Sequence, residues 1–181
     1  RSTRQSTLFP YTTLFRSGPA EAAAAAGASK VYVLEDPALA DYSSQAYAVA
    51  VAAFAAEAAP AALFFPATAM GKDLAPRVAA RLGVALAADC TRIEVRDGAL
   101  EYTRPIYAGK ALLTVRLKSS PQLASLRPNV FPAGPPAPGA GEIVKMAAAV
   151  PDGAVKGKVA EILKEESAEL DVTEADVVVS G

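Results

Sequence analysis

No histidine and no tryptophan occur among the 181 residues, and cysteine occurs once, at Cys90. Without histidine, neither a Ser-His-Asp nor a Cys-His nucleophilic system can be assembled from this chain alone, and His-ligated zinc sites are excluded with them. One cysteine forms no internal disulfide, which fits a reducing compartment. Cys90 lies in AADCTR, at a loop-to-strand transition with neither a histidine nor a cluster of cations beside it to lower its pKa. It therefore reads as a small buried residue rather than a reactive thiol. Hydrophobic residues make up 52% of the chain, much of it alanine. Even so, no run approaches the roughly 20 apolar residues that span a bilayer. The net charge is -1, with both signs dispersed. That leaves no basic stripe for nucleic acid and no cationic face for membrane insertion or surface binding.

What is present begins with alternating strand and helix signals. KVYVL at Lys30 to Leu34 has the β-branched and aromatic content of a strand, and Glu35, Asp36 and Pro37 follow as a loop. An alanine-rich helix starts near Asp41, with Tyr47, Val51, Phe54 and Ala58 at helical spacing and Pro60 closing it. Ala62 to Phe65 reads as a second buried strand. Lys72 to Leu82 reads as a second helix, with Leu74, Val78 and Leu82 on one face, Asp73 and Arg77 as an i,i+4 pair, and Gly83 as its stop. This order predicts an α/β unit with a parallel sheet. Beyond Asp89 the period changes to two. Arg92 to Arg96 alternates, Asp97-Gly98 makes a hairpin turn into Ala99 to Tyr107, and Leu112 to Leu117 forms a further strand with Leu113, Val115 and Leu117 facing one way. Gln122 to Phe131 reads as another extended segment broken by Pro128. The expected fold is thus α/β: a parallel, Rossmann-like (nucleotide-binding-like) sheet with helices and an appended antiparallel meander. PAGPPAPGAG at 132–141 is a Pro/Gly loop. Glu142 to Val150 and Val155 to Leu163 are short and ambiguous, the second fitting a helix by its apolar spacing.

Two stretches offer chemistry. PATAMGKDL, Pro66 to Leu74, places Gly71-Lys72 before a helix. It lacks the first glycine of a phosphate-binding loop and carries Asp73 where that loop needs Ser or Thr. A generic anion site at the helix N-terminus is open to it. The preferred reading is that Thr68 and Gly71 shape a turn. In YTRPIYAGKALLTV, Tyr102 to Val115, the side chains of Arg104, Tyr107 and Lys110 could hold an anion, with Gly109 permitting a tight or bulged backbone. The same residues also suit a structural kink, which is preferred. The acidic run Glu161 to Glu169 lacks a calcium-loop ligand pattern and reads as a solvated face.

The two ends stand apart. TLFPYTTLFRS, Thr7 to Ser17, is rich in Thr, Phe and Leu, and Pro10 to Thr13 interrupt any signal-peptide core. Arg1, Arg4 and Arg16 suit a transit peptide by composition, but the stretch resembles the conceptual translation of a sequencing-adapter oligonucleotide. Residues 1–17 are accordingly expected to be an artefact, disordered and outside the fold, with 18–29 an Ala/Gly-rich lead-in. At the other end, Asp176 to Gly181 is an apolar β-branched run that delivers Ser180-Gly181, the way a parallel strand enters a ligand-binding turn.

PATAMGKDLAPRVAARLGVALAADCTRIE, TRPIYAGKALLTV, LASLRPNVF and LDVTEADVVVSG occur in an order and approximate spacing that resemble the alpha subunit of electron transfer flavoprotein, over Lys30 to Gly181. The resemblance implies that 30–171 is most of an N-terminal α/β domain that packs against the beta subunit. It implies that 172–181 is the first strand of a following domain that carries flavin adenine dinucleotide (FAD). In that family the strand ends in Ser-Gly-Gly-Arg-Gly, and Ser180 and Gly181 match its first two positions as the edge of a cofactor-binding motif. The chain is then expected to be an internal piece of a longer protein, supplying scaffold and subunit interface without catalytic residues or bound cofactor of its own. The implied whole is an electron carrier that accepts electrons from acyl-CoA and related dehydrogenases and passes them to a quinone oxidoreductase. Its implied place is the cytoplasm of a bacterium, to which the Ala- and Pro-rich usage leans, or the mitochondrial matrix of a eukaryote. The alternative is a free-standing nucleotide-binding or interaction module of the same α/β type.

Overall fold

A computed structural model describes residues 6–10, 18–132, 141–148, 150–157, 159–161 and 179. Its elements are β1 (Ser6–Pro10), α1 (Gly18–Ala25), β2 (Lys30–Glu35), α2 (Ser44–Ala58), β3 (Ala62–Pro66), α3 (Ala69–Leu82), β4 (Leu86–Cys90), β5 (Arg92–Arg96), β6 (Ala99–Ile106), β7 (Ala111–Val115), β8 (Gln122–Leu126) and β9 (Glu142–Ala147). The parallel part is divided into two three-stranded sheets, ordered β1-β2-β9 and β3-β8-β4, and β5-β6-β7 is antiparallel.

The helices form where capping and alanine content favour them. Ser43 caps α2 by accepting from the Ala46 N–H, and α2 closes with Ala59 in the left-handed region, just before Pro60. Thr68 caps α3 by accepting from the Gly71 N–H, and Gly83 terminates it at φ 66°. Alanines at 46, 48, 50 and 55 of α2 and at 75 and 79 of α3 are buried, so short side chains let the two helices lie close to each other and to the sheets.

The middle sheet, β3-β8-β4, is covered on both faces. Leu123 joins the core made with Tyr47, Val51, Leu74 and Val78 of the helices. Its neighbour Ala124 points the other way, into a core with Ala87, Cys90 and Tyr102 that the antiparallel sheet completes. The layers run helices, parallel sheet, antiparallel sheet. Tyr102 is fully buried between the last two and donates its hydroxyl to Gln122 Oε1 at 2.9 Å. Burial pushes its pKa up to about 12.

The structure corrects several expectations. Ser6–Pro10 is no disordered tail, because it pairs in parallel with β2, where an open strand edge offers unpaired backbone groups to any extended segment. Gly18–Ala25 is a helix rather than a lead-in, with Ala20 and Ala24 packed on Val31. Gln122–Leu126 belongs to the centre of the parallel sheet and not to the meander, a placement that depends on partners far away in the chain. Glu142–Ala147 is a third strand beside β2. The described residues of 155–163 carry no helix, and the rest of the acidic run after Glu161 lies outside the described residues. Val115 and Leu117 pack on the core as expected, but Leu113 is 42% exposed.

Gly71 tests the turn reading of PATAMGKDL. A Cβ placed there would lie 1.7 Å from the carbonyl oxygen of Pro66, so the first turn of α3 sits directly against the end of β3. Gly71→Ala should lower stability by about 1–3 kcal/mol, the usual cost of overpacking a tight site. The check is the urea midpoint against the parent chain, and an unchanged midpoint would show that this approach is not needed.

Candidate functional site

The carboxyl ends of β3, β8 and β4 lie side by side, and in open α/β sheets that edge is where ligands bind. The Ala67 N–H donates to Leu126 O at 2.7 Å and the Arg127 N–H to Cys90 O at 2.9 Å, which ties the three strand ends together. The register of β4 against β8 shifts between Ala87 and Cys90. Within that irregularity Asp89 takes φ 57°, tolerable for an Asp, and its N–H donates to Ser125 Oγ at 2.8 Å. The carboxylate is thereby turned to the sheet edge. There it accepts two bonds from Arg127, at 3.2 Å from Nε and 2.6 Å from Nη2.

Above this pair stands the turn between β6 and β7. Tyr102 and Arg104 share one face of β6, the face toward the parallel sheet, so the strand that buries Tyr102 also carries Arg104 to the edge. Tyr107, Ala108 and Gly109 all have positive φ, at 52°, 53° and 86°. That makes a compact reversal in which Gly109 and Lys110 donate to the carbonyls of Ile106 and Tyr107. Between turn and pair is a cavity of about 500 Å³ lined by Asp89, Arg127 and the segment from Arg104 to Gly109. The Arg104 Nε is buried and has no hydrogen-bond partner among the described residues.

The electrostatics of the edge are set by guanidinium groups. The hydrogen bonds from Arg127 hold the Asp89 carboxyl below the usual carboxylate range against the opposing effect of burial, with Lys72 and Arg104 near enough to help. Burial raises the Cys90 pKa, as expected of an inert thiol, and its Sγ donates to Ala87 O at 3.3 Å. Asp73 turns elsewhere. It accepts from Arg77 at 3.0 Å, as its spacing predicts, and from the Tyr42 hydroxyl at 3.0 Å.

The sequence singles out Arg104, Tyr107, Gly109 and Lys110, with a structural kink as the preferred reading; the structure brings the first three to one cavity, and Lys110 does not line it. The sequence also marks Lys72, though as part of a separate motif, while Thr68 and Gly71 are the cap and the tight contact of the turn. It does not mark Asp89 and Arg127, which lie far apart in sequence. The available signal was that each stands at the end of an apolar strand. Ser180 and Gly181 lie outside the described residues, and of 172–181 only the exposed Val179 is described.

Residues 15–151 match the family model described as "Electron transfer flavoprotein domain". The chain is 43% identical over 155 residues to the electron transfer flavoprotein subunit alpha of Syntrophomonas wolfei, covering 86% of this chain and 49% of that protein. It is 36% identical over 159 residues to the Megasphaera elsdenii protein of the same name, covering 86% and 47%. It is 37% identical over 158 residues to "Protein FixB" of Clostridium saccharobutylicum, again covering 86% and 47%. The chain therefore spans about half the length of the curated relatives it matches.

The Asp89–Arg127 pair gives a pH signature. Because the folded pKa of Asp89 is depressed, its contribution is complete above the unfolded value near pH ~4 and is lost as pH falls through the folded value. Asp89→Asn should be less stable than the parent at pH 7, and the gap should narrow below pH ~4. Urea midpoints of both chains across that range check it, and a gap independent of pH would contradict it.

Proposed function

The chain belongs to the electron transfer flavoprotein domain family, and from that premise we propose that it is the N-terminal domain region of an alpha subunit, acting as scaffold and subunit interface in an electron carrier rather than as an enzyme. The observation that carries this reading is the match over residues 15–151 together with the alpha-subunit names of its relatives. The whole protein would accept electrons from acyl-CoA and related dehydrogenases on FAD and pass them to a quinone oxidoreductase, with hydride chemistry left to the dehydrogenases. A bacterial cytoplasm suits the sources of the relatives. Among the described residues no helix is long and apolar enough to cross a membrane.

FAD itself does not fit the described residues. The cavity at the sheet edge is about 500 Å³ and the ion pair at its base satisfies itself, which leaves room for one small anionic group beside Arg104 rather than for a flavin dinucleotide. The proposal therefore places the flavin with residues beyond those described, with Ser180 and Gly181 at the start of its turn. Partner binding has a clearer basis. Val95, Leu112 and Leu113 of the antiparallel sheet are 73%, 63% and 42% exposed. The register puts Val95 and Leu113 on one face of that sheet and Leu112 on the other; on this reading the beta subunit covers exposed apolar side chains of this sheet. The second reading, a free-standing nucleotide-binding or interaction module, draws on the cation-lined cavity.

Two preparations separate the readings. The 181-residue chain, purified with added FAD, should retain no stoichiometric flavin absorbance. The product of the whole gene, purified with its beta subunit, should retain flavin that is bleached by an acyl-CoA dehydrogenase with its substrate and restored by a quinone oxidoreductase. Tight flavin binding by the short chain, or a whole complex that carries no electrons, would contradict the proposal.

A further inference from the structure

The carboxyl edge of the middle sheet has more cationic apparatus than a scaffold requires. Arg127 is consumed by Asp89, at 2.6 Å. Arg104 is not: it lines the same cavity, and its Nε is buried without a partner among the described residues. Leaving a buried donor of a charged group unsatisfied is costly, so an arrangement that retains one points to a ligand that satisfies it. The rest of the arrangement agrees. Lys72 stands exposed in the first turn of α3, which starts from the neighbouring strand end. The turn through Tyr107, Ala108 and Gly109 stands above the cavity, with its Gly109 and Lys110 N–H groups already given to the carbonyls of Ile106 and Tyr107. Asp73, the carboxylate nearest Lys72 in sequence, is already engaged by Arg77 and Tyr42.

We propose that this edge is a binding site for a phosphoryl group, with Arg104 as its principal ligand, Lys72 as a second charge, and Asp89 holding Arg127 in place at the base. The choice of phosphate over carboxylate follows from charge. Arg104 and Arg127 share the cavity with one carboxylate, and Lys72 is near enough to add to the field at Asp89, so the edge is positive by up to two charges, and a phosphate monoester carries nearly two negative charges at pH 7. The planar fork of a guanidinium holds two oxygens of such a group, as Arg127 holds those of Asp89. The roughly 500 Å³ of space accepts one such group and part of what bears it. This inference stands on the described residues and does not rest on the electron-carrier reading.

The test titrates the full 181-residue chain with inorganic phosphate while following arginine Nε–H resonances by NMR, with calorimetry alongside. One arginine Nε–H signal should shift saturably, and Arg104→Gln should abolish that signal and weaken phosphate binding by about tenfold or more, given the strength of charge-assisted bonds. Arg104→Lys keeps the charge but loses the fork and should fall between the two. Lys72→Gln, on an exposed helix position where folding is not at risk, should weaken binding severalfold. Arg92→Gln, in a surface pair outside the cavity, should bind as the parent does. Sulfate should compete, and acetate should bind at least about tenfold more weakly. The proposal is overturned by the absence of saturable binding, by phosphate affinity that Arg104→Gln and Lys72→Gln leave unchanged, or by acetate binding as tightly as phosphate.

Discussion

The structure depends on one strand being paired on both sides and packed on both faces. β8 is hydrogen-bonded to β3 along one edge and to β4 along the other, and it reaches that position after the whole antiparallel hairpin has been laid down. Its alternation does the rest. Leu123 faces the helices, Ala124 faces Tyr102 and Cys90, and neither has any exposed surface. A one-residue slip would exchange these faces, putting a leucine where only an alanine fits beside Tyr102. The register of β8 therefore fixes three layers at once. The hydrogen bond from Tyr102 to Gln122 at the start of the strand pins it further.

The chemistry of the molecule inherits that constraint. Because β8 ends beside β3 and β4, Arg127 emerges next to Asp89, and the Ser125 hydroxyl that accepts from the Asp89 N–H comes from the same strand. The antiparallel sheet packs on the face that Ala124 presents, and this carries Arg104 and the Tyr107 turn over the same edge. Side chains from three separate stretches thus converge without any of them being a local motif. The alpha-subunit role proposed for the chain and the phosphoryl site proposed at this edge use different surfaces. The first would use the exposed apolar residues of the antiparallel sheet, the second the cation-lined end of the parallel one.

The sequence made the local elements legible and the long-range ones obscure. α2 and α3 were readable because caps, alanine content and apolar spacing agree along one stretch, and the Asp97-Gly98 hairpin because its turn chemistry is local. β8 was read as strand but misplaced, since five residues of apolar sequence say nothing about which neighbours they pair with. α1 was missed because alanine and glycine at 18–29 look like a tether until Val31 is seen to need covering. The composition of Ser6–Pro10 gives no sign of a strand, yet an open edge on β2 accepts it. At the site, Arg104 and Tyr107 were visible as a cation and an aromatic around a glycine turn. Asp89 and Arg127 were not, because their pairing exists only once β4 and β8 are adjacent. The family, by contrast, was legible from four motifs in order, and the family match bears it out.

The most direct measurement is native-state hydrogen exchange on the folded chain, read residue by residue along β8. Amides that exchange only through global unfolding mark the element on which everything else is built. Leu123, Ala124 and Ser125 should be among the slowest-exchanging amides, with rates that follow global stability in urea, while the amides of β5 and β7 open at lower cost. If β8 exchanges as fast as the outer strands of the hairpin sheet, β8 does not organise the fold, and the carboxyl edge assembled around it loses its foundation.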